Sequence, residues 1–163
     1  VLTGAVVAQE AGVAWETEAR VKVAFVYNFP KFVDWPSDDP ASPIVVCVVG
    51  SDPIRTFLGE LSIRRVGSRG IRVVHLQASD PVPACHMMFL PRSEETLLPL
   101  FLSKVSTSPV LTISDIPDFA SRGGMIGFVT ENGRVRMEIG QGTLRKAGLK
   151  VRAKLLEIAK VLP

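Results

Sequence analysis

The sequence predicts an α/β domain with a mixed, mostly parallel sheet flanked by helices, a β-hairpin in its C-terminal half and amphipathic helices at its C-terminus. Continuous β-branched runs predict strands that are covered on both faces. Stretches with helical periodicity separate these runs, as in α/β proteins. An Asn-Gly pair between two alternating segments indicates the hairpin. With 163 residues, the chain fits one domain with a sizeable core.

Composition narrows the class of protein. The chain is 47% hydrophobic and 21% charged, which argues against global disorder. Its net charge is only +3, and no Lys/Arg stripe interleaves with aromatic residues, so nucleic acid is not a predicted partner. No stretch reaches the ~18 uncharged apolar residues of a membrane-spanning helix.

The first residues, VLTGAVVAQE, are small and apolar up to Gln9. Small residues before a polar one are typical of the end of an export signal. We therefore expect residues 1–14 to be a signal-peptide remnant or a disordered leader, and residues 15–163 to form the domain.

Apolar residues recur at helical spacing over residues 16–33, which predicts a first helix. Pro30 lacks a backbone donor, so this helix should end or kink near Phe29. The polar, proline-rich stretch that follows Trp35 predicts a loop.

The middle of the chain alternates between strands and helices. Asp52 and Pro53 are suited to begin a short helix, and Ser93 to cap another that runs to about Val105. Buried strands are predicted over residues 44–49, 71–76, 85–90 and 110–113.

An apolar stripe near the C-terminus predicts one amphipathic helix, or two collinear helices broken at Gly148. Lys and Arg cover the remaining surface, which suits anionic lipid or an acidic partner, although packing on the sheet with solvated lysines is favoured. The stripe consists of Leu144, Ala147, Val151, Leu155, Ile158 and Leu162.

The stretch SRGGMIGFVTENGRVRMEI, residues 121–139, allows two interpretations. A glycine-rich run beside arginines is compatible with a phosphate-binding loop, but such a loop opens a helix and carries a spaced glycine or Lys-Ser/Thr motif. A strand follows these glycines instead. We predict a hairpin over residues 125–139 with a type I′ turn at Asn132-Gly133.

This turn fixes the register of the predicted hairpin. Opposed residues sum to 265, so that Glu131 faces Arg134 and Phe128 faces Met137. One face is apolar, and the other carries four charged residues that we take as a candidate partner contact: Glu131, Arg134, Arg136 and Glu138.

No catalytic, cofactor-binding or metal-binding residues are predicted. Ser114 lacks the G-x-S-x-G elbow, and Cys85 and His86 are neighbours that point to opposite faces of a strand. The scattered His and Cys residues do not have metal-ligand spacing. Four arginines in one connection suit an anion, but a solvated hairpin is favoured; they are Arg64, Arg65, Arg69 and Arg72.

The two cysteines, Cys47 and Cys85, both lie in apolar runs. In an oxidising compartment they would be able to pair. Two buried free thiols are the alternative, and the pattern alone leaves the choice open.

Several blocks, in order from about Thr17 to the C-terminus, resemble the YfiR family. VKVAFVYNFPKFVDWP (21–36) is similar to its VKAAFLYNFAKFVEWP, and VVCVVGSDP (45–53) to LCVLGDDP. CHMMF (85–89) is similar to CHILF, and PVLTISDIPDFASRGGMIGFV (109–129) to PVLTVSDIPGFARRGGMIGFV. ENGRVRMEI and AGLK continue the resemblance. Pro30 and Gly140 depart from the family's usual Ala and Asn, which puts a straight first helix and a side-chain cap in doubt.

The resemblance implies a small exported protein, often dimeric, without enzymatic activity. It implies a periplasmic repressor that binds the periplasmic sensor domain of an inner-membrane diguanylate cyclase and so lowers cyclic-di-GMP synthesis. An outer-membrane lipoprotein or a redox change would release it, and a histidine kinase would replace the cyclase in some genomes. The resemblance also implies that Cys47 and Cys85 are paired, because they match the family's paired positions.

Two other functions remain as hypotheses. A periplasmic small-ligand sensor would show an apolar pocket near Phe25, Phe29 and Trp35. A hydrolase would show a cleft that joins Ser114 or Asp115 with a histidine.

Overall fold

The computed structural model describes residues 2–163, with side chains from residue 14 onward. The helices are α1 (Leu2–Asn28), α2 (Ile54–Gly59), α3 (Leu98–Val105), α4 (Gln141–Lys146) and α5 (Ala153–Glu157). The strands are β1 (Val33–Asp34), β2 (Ile44–Val49), β3 (Arg65–Val66), β4 (Arg69–Leu76), β5 (Met87–Leu90), β6 (Leu111–Ser114), β7 (Ile126–Glu131), β8 (Arg134–Gly140), β9 (Lys150–Val151) and β10 (Lys160–Leu162). The leader predicted for residues 1–14 includes residue 1 and the side chains of residues 2–13, which lie outside this description, so the leader stays a prediction.

An eight-stranded sheet forms the centre of the domain, in the order β10-β8-β7-β6-β5-β2-β4-β3. β4, β2, β5, β6 and β7 are parallel to one another, whereas β8 and β3 are antiparallel to their neighbours β7 and β4. Numbered along the chain, the parallel strands follow the order 2-1-3-4-5 of flavodoxin-like folds. The predicted mixed, mostly parallel sheet is confirmed, and β1 and β9 form a separate two-stranded sheet.

The central strands are buried on both faces, as the β-branched runs predicted. On β2, Val46 and Val48 belong to the core beneath α1 and α2. Cys47 and Val49 belong to the core beneath α3. Alternate residues of one strand therefore build two hydrophobic layers.

The first helix ends where the sequence predicted. α1 stops at Asn28, and a 3-10 turn, Phe29–Lys31, places Pro30 near its start, where no backbone donor is required. Phe29 is fully buried and stacks on Phe128 of β7 at 6.2 Å between ring centroids. The helix is thus anchored on the hairpin. Among the helices in the described part of the chain, none combines the length and the apolar content that a membrane crossing needs.

Two predicted helices differ in detail. The helix expected to begin at Ser93 starts as a 3-10 segment, Arg92–Leu97, without a side-chain cap, and only α3 is α-helical. The predicted C-terminal stripe is divided between α4 and α5, which are separated by β9 and followed by β10. Gly148 adopts φ +74°, which ends the helical course after α4. Val151 therefore lies in β9 of the two-stranded sheet, and Leu162 lies in β10 at the edge of the central sheet.

A disulfide joins the two cysteines. Cys47 lies in β2 and Cys85 lies two residues before the neighbouring strand β5, with their Cα atoms 6.1 Å apart. Both residues are buried in the core beneath α3. The pairing implied by the family resemblance is therefore present, and it closes a loop of 38 residues.

We expect the double substitution Cys47→Ala and Cys85→Ala to lower the free energy of unfolding by about 4 kcal/mol under oxidising conditions, because the loop then adds entropy to the unfolded chain. The melting temperature should fall by about 10 °C. With reductant present, the free energy of unfolding of the variant should lie within ~1 kcal/mol of that of the reduced wild type. Equal stability of the two proteins without reductant would contradict a stabilising bridge.

A second prediction concerns the glycine pair that precedes β7. A Cβ atom on Gly124 would overlap the ring of Phe119, which is only 1% exposed. Gly124→Ala should therefore cost about 1–3 kcal/mol by overpacking, measured by urea denaturation. Gly59→Ala is the matched control, since its Cβ would meet open space at the end of α2 and should stabilise by about 0.5 kcal/mol. A Gly124→Ala variant as stable as wild type would refute the close contact.

Candidate functional site

The hairpin that carries the candidate partner contact forms in the predicted register. Glu131 pairs with Arg134 and Phe128 pairs with Met137 across β7 and β8. Asn132 and Gly133 have φ of 51° and 74°, as a type I′ turn requires. This stretch therefore forms a hairpin with a tight turn, and the phosphate-loop interpretation is not supported.

The apolar face of the hairpin is directed into the core. Phe128 and Met137 are buried there, and the rings of both Phe25 and Phe29 lie against Phe128 at 5.9 and 6.2 Å. The opposite face, which we call the charged hairpin face, carries Glu131, Arg134, Arg136 and Glu138.

Solvent reaches most of the charged hairpin face. Glu131, Arg134 and Arg136 are exposed, and Glu138 is half-buried with its carboxylate 3.8 Å from Lys160 Nζ on β10. The face presents both signs of charge on a rigid antiparallel ladder. It is suited to charge-assisted hydrogen bonds with a partner.

A cluster that sequence reasoning missed joins Asp38, Arg69 and His86. The Arg69 guanidinium donates two hydrogen bonds to Asp38, at 2.7 and 3.0 Å, and His86 Nε2 lies 2.8 Å from Asp38 Oδ1. His86 Nδ1 accepts from the backbone N–H of Val45 at 3.0 Å, so Nε2 carries the proton that faces Asp38. Trp35 Nε1 donates to the His86 carbonyl at 2.8 Å. The proline-rich loop is thereby fastened to β4 and to the chain just before β5.

The cluster explains one deviation from the sequence prediction. β3 and β4 form the expected arginine-rich hairpin, and Arg64, Arg65 and Arg72 are exposed. Arg69 instead lies mostly buried against Asp38. Its partner comes from a distant loop, so local sequence gave no signal for the pair.

Electrostatics of the cluster follow from its geometry. The hydrogen bonds from Arg69, opposed in part by burial and aided by His86, lower the pKa of Asp38 from 3.8 to about 2. Asp38 therefore remains ionised throughout the range in which proteins normally function.

A second ionic cluster lies at the carboxyl ends of the strands. Lys22 of α1 is only 8% exposed, and its Nζ lies 2.9 Å from Asp115 Oδ2 and 3.2 Å from Glu18 Oε1. The backbone N–H of Arg92 donates to the other oxygen of Asp115 at 2.7 Å. Burial raises the pKa of Glu18, but the Thr130 hydroxyl and Lys22 outweigh it and leave the pKa below its ordinary value.

This second cluster forms one wall of an open cleft of about 750 Å³. The cleft lies beyond the ends of β2, β5, β6 and β7, between these ends and α1, where ligands bind in many parallel α/β folds. Within residues 14–163, no group of three or more His, Cys, Asp or Glu side chains is arranged to hold a metal ion.

The structure does not bring together the groups that the hydrolase hypothesis requires. Ser114 is buried, and its hydroxyl donates to the Leu90 carbonyl at 2.6 Å and accepts from the N–H of Ile116 at 2.8 Å. Asp115 is bound to Lys22. Of the two histidines, His86 is engaged with Asp38, and His75 lies on β4, three strands from β6.

The aromatic residues of the ligand-sensor hypothesis do not line one common pocket. Phe25 and Phe29 pack on Phe128, whereas Trp35 lies edge-on to His86 with 5.3 Å between ring centroids. The apolar pocket predicted at these three residues is therefore replaced by packed side chains.

Together, these observations define a single α/β domain with a flavodoxin-like strand order and a buried disulfide. One ionic cluster connects the proline-rich loop to the sheet, and the other connects α1 to it. A family model described as YfiR/HmsC-like matches residues 19–160 of the 163-residue chain. The chain belongs to the YfiR/HmsC-like family. A search of curated proteins found no match.

The Asp38 cluster yields a pH-dependent prediction. Because its folded pKa is lowered, Asp38 contributes stability that is present above its ordinary pKa of 3.8 and is lost as the pH falls through about 2. Asp38→Asn should reduce the free energy of unfolding by about 2 kcal/mol at pH 7, and the difference from wild type should shrink between pH 4 and pH 2. Urea denaturation at several pH values measures both effects.

Asp118→Asn is the control for this substitution. Asp118 is exposed and has φ +58°, a conformation that Asn tolerates well. Its stability should follow that of wild type at every pH. A constant difference between Asp38→Asn and wild type from pH 7 to pH 2 would exclude the ionised Asp38 as the source of stability.

Proposed function

We propose that this protein is a non-enzymatic periplasmic repressor that binds the periplasmic sensor domain of an inner-membrane diguanylate cyclase and lowers cyclic-di-GMP synthesis. The observation that carries this proposal is the YfiR/HmsC-like family match over residues 19–160. The alternative membrane partner is a histidine kinase with a periplasmic sensor domain, which would take the place of the cyclase. An outer-membrane lipoprotein is the proposed releasing partner, and the repressor is proposed to act as a homodimer.

The disulfide supports a periplasmic location. Disulfides persist in oxidising compartments such as the bacterial periplasm and are rare in the cytosol. The Cys47–Cys85 bridge is buried, as expected of a structural bond. The export-like leader predicted for residues 1–14 would bring the chain to that compartment.

The charged hairpin face is our proposed contact with the sensor domain. Its exposed Arg134 and Arg136 lie on β8, which is paired with β7, and the other face of this hairpin packs in the core. The backbone that carries these charges is therefore already ordered, so binding would not cost backbone entropy there. Opposed charges on the partner would guide encounter and fix the orientation of the complex.

The cleft of about 750 Å³ favours a second candidate function, a periplasmic sensor of a small ligand. Its volume lies within the range of about 300–1,000 Å³ that is typical of ligand pockets. The side chains that line it include Lys22, Asp52 and Asp115. Such a ligand would be polar, unlike the apolar one that the aromatic residues suggested.

Two measurements test the repressor function. The purified chain should retain the periplasmic sensor domain of the diguanylate cyclase encoded in its own genome in a pull-down, and deletion of its gene should raise cellular cyclic-di-GMP. If the sensor domain is not retained and the cyclic-di-GMP level is unchanged, the repressor function is wrong. If only a histidine kinase sensor domain is retained, the regulated membrane protein is that kinase and the proposed cyclase partner is wrong.

The contact surface is tested separately by charge reversal. The double variant Arg134→Glu and Arg136→Glu should weaken binding to the sensor domain at least ~10-fold, a loss of about 1.4 kcal/mol, because like charges would then face the partner. Arg145→Glu and Lys146→Glu, an exposed pair on α4, form the matched control and should bind as wild type. Titration calorimetry measures the affinities, and equal weakening by both pairs would show a general charge effect instead of a contact.

A further inference from the structure

We propose that a groove between α1 and α2 docks an acidic amphipathic helix of the membrane partner. The groove encloses about 340 Å³ and is lined by Arg20, Val23, Ala24, Tyr27, Phe57, Glu60, Leu61 and Arg64. It is separate from the charged hairpin face, since none of these residues belongs to β7 or β8. The inference rests on the proposed function, because it names a surface that the regulator would use.

The floor and walls of the groove are apolar. Val23 and Leu61 are buried at its base, and the rings of Tyr27 and Phe57 are partly exposed. Ala24 is exposed between them on α1 and leaves room because its side chain is small. The volume is near the lower limit of about 300 Å³ for ligand pockets, so the groove suits one or two apolar side chains of a docked element.

Large apolar side chains remain exposed beside the groove. Trp15 is 42% exposed and its ring lies 5.9 Å from that of Phe57. Ile63, which lies between Leu61 and Arg64 in the chain, is 85% exposed. Exposed large apolar side chains beside polar ones are characteristic of protein interaction sites. A helix laid along the groove would cover this surface.

The charge of the rim selects an acidic occupant. Arg64 and Lys31 lie over the Tyr27 ring, at 5.8 and 5.3 Å from its centroid, and within residues 14–163 neither forms an ion pair. Arg20 lies over Phe57 at 4.3 Å and binds Glu16 and Glu60, which leaves the rim with a net positive charge. Aromatic rings hold these cations in place, so carboxylates of a partner meet donors that are already positioned.

These features match the helix-in-groove mode of recognition, in which apolar side chains at helical spacing enter a groove while charged flanks pair with its rim. A basic helix would meet Arg20, Lys31 and Arg64 with like charge. A helix without apolar residues would leave the floor of the groove unfilled. The occupant therefore combines leucine-like anchors with carboxylates.

The first test uses synthetic helices as probes. A fluorescein-labelled peptide built from Glu and Leu at helical spacing should bind the full chain saturably, and increasing salt should weaken the binding. A Lys/Leu peptide and a Glu/Ser peptide of the same length should bind at least ~10-fold more weakly. Equal binding of the Lys/Leu peptide, or no binding of the Glu/Leu peptide, would overturn the inference.

Two variants locate the binding. Ala24→Trp fills the groove from an exposed position, and Lys31→Glu with Arg64→Glu reverses the rim. Each should weaken binding of the Glu/Leu peptide at least ~10-fold. The controls are Ala153→Trp, on the exposed start of α5, and the pair Arg145→Glu and Lys146→Glu on α4, which should both bind as wild type. Unfolding curves that match those of wild type confirm that the variants are folded.

The same variants distinguish this inference from the proposed function. If the cyclase sensor domain binds wild type and loses affinity with the groove variants, both are supported. If it binds wild type and the groove variants equally, the groove is not its docking site and the inference is overturned, while the regulator function stands. If the sensor domain does not bind wild type at all, the proposed function fails, and the inference, which rests on it, fails for this partner.

Discussion

The central strands β2, β5 and β6 are buried on both faces, and this constraint determines how the rest of the chain must be arranged. A sheet of this kind exposes two apolar surfaces, so helices have to lie on each of them. α1 and α2 cover one surface and α3 covers the other. The position of α1 is further fixed by Lys22, whose ammonium group is buried and therefore needs the carboxylates of Glu18 and Asp115. Loss of both contacts would leave a mostly buried ammonium group without a carboxylate partner.

Local sequence predicted the features that depend on local chemistry. The β-branched run of β2, the end of α1 before Pro30 and the register set by Asn132-Gly133 all follow from steric and turn preferences of a few residues. The C-terminal stripe is confirmed in part: α4 and α5 are separate helices with Gly148 between them, but Val151 and Leu162 lie in the strands β9 and β10. Periodicity alone does not show where one element ends and the next begins.

The site residues divide in the same way. The charges of the hairpin face follow from the alternation of β8, so their placement was predictable, whereas their role as a contact is still a proposal. Asp38 and Arg69 are 31 positions apart, and Lys22 and Asp115 are 93 apart. Such pairs are formed by the fold, and neither spacing nor composition indicates them in advance. Only the family resemblance supplied long-range information, and it did so for Cys47 and Cys85.

Two turns of α1 connect the surfaces that we propose for the partner. Glu18 accepts a hydrogen bond from Thr130 of the hairpin, and Arg20 stacks on Phe57 at the groove. Lys22 follows Arg20 by two residues, and its contact with Asp115 fixes the same helical segment to the sheet. A partner that contacts both surfaces would therefore meet a single rigid element, and little conformational entropy would be lost in aligning them. This arrangement favours recognition of a preformed surface over folding on binding, which would suit the reversible repression that we propose, because release would require no unfolding of the α/β core.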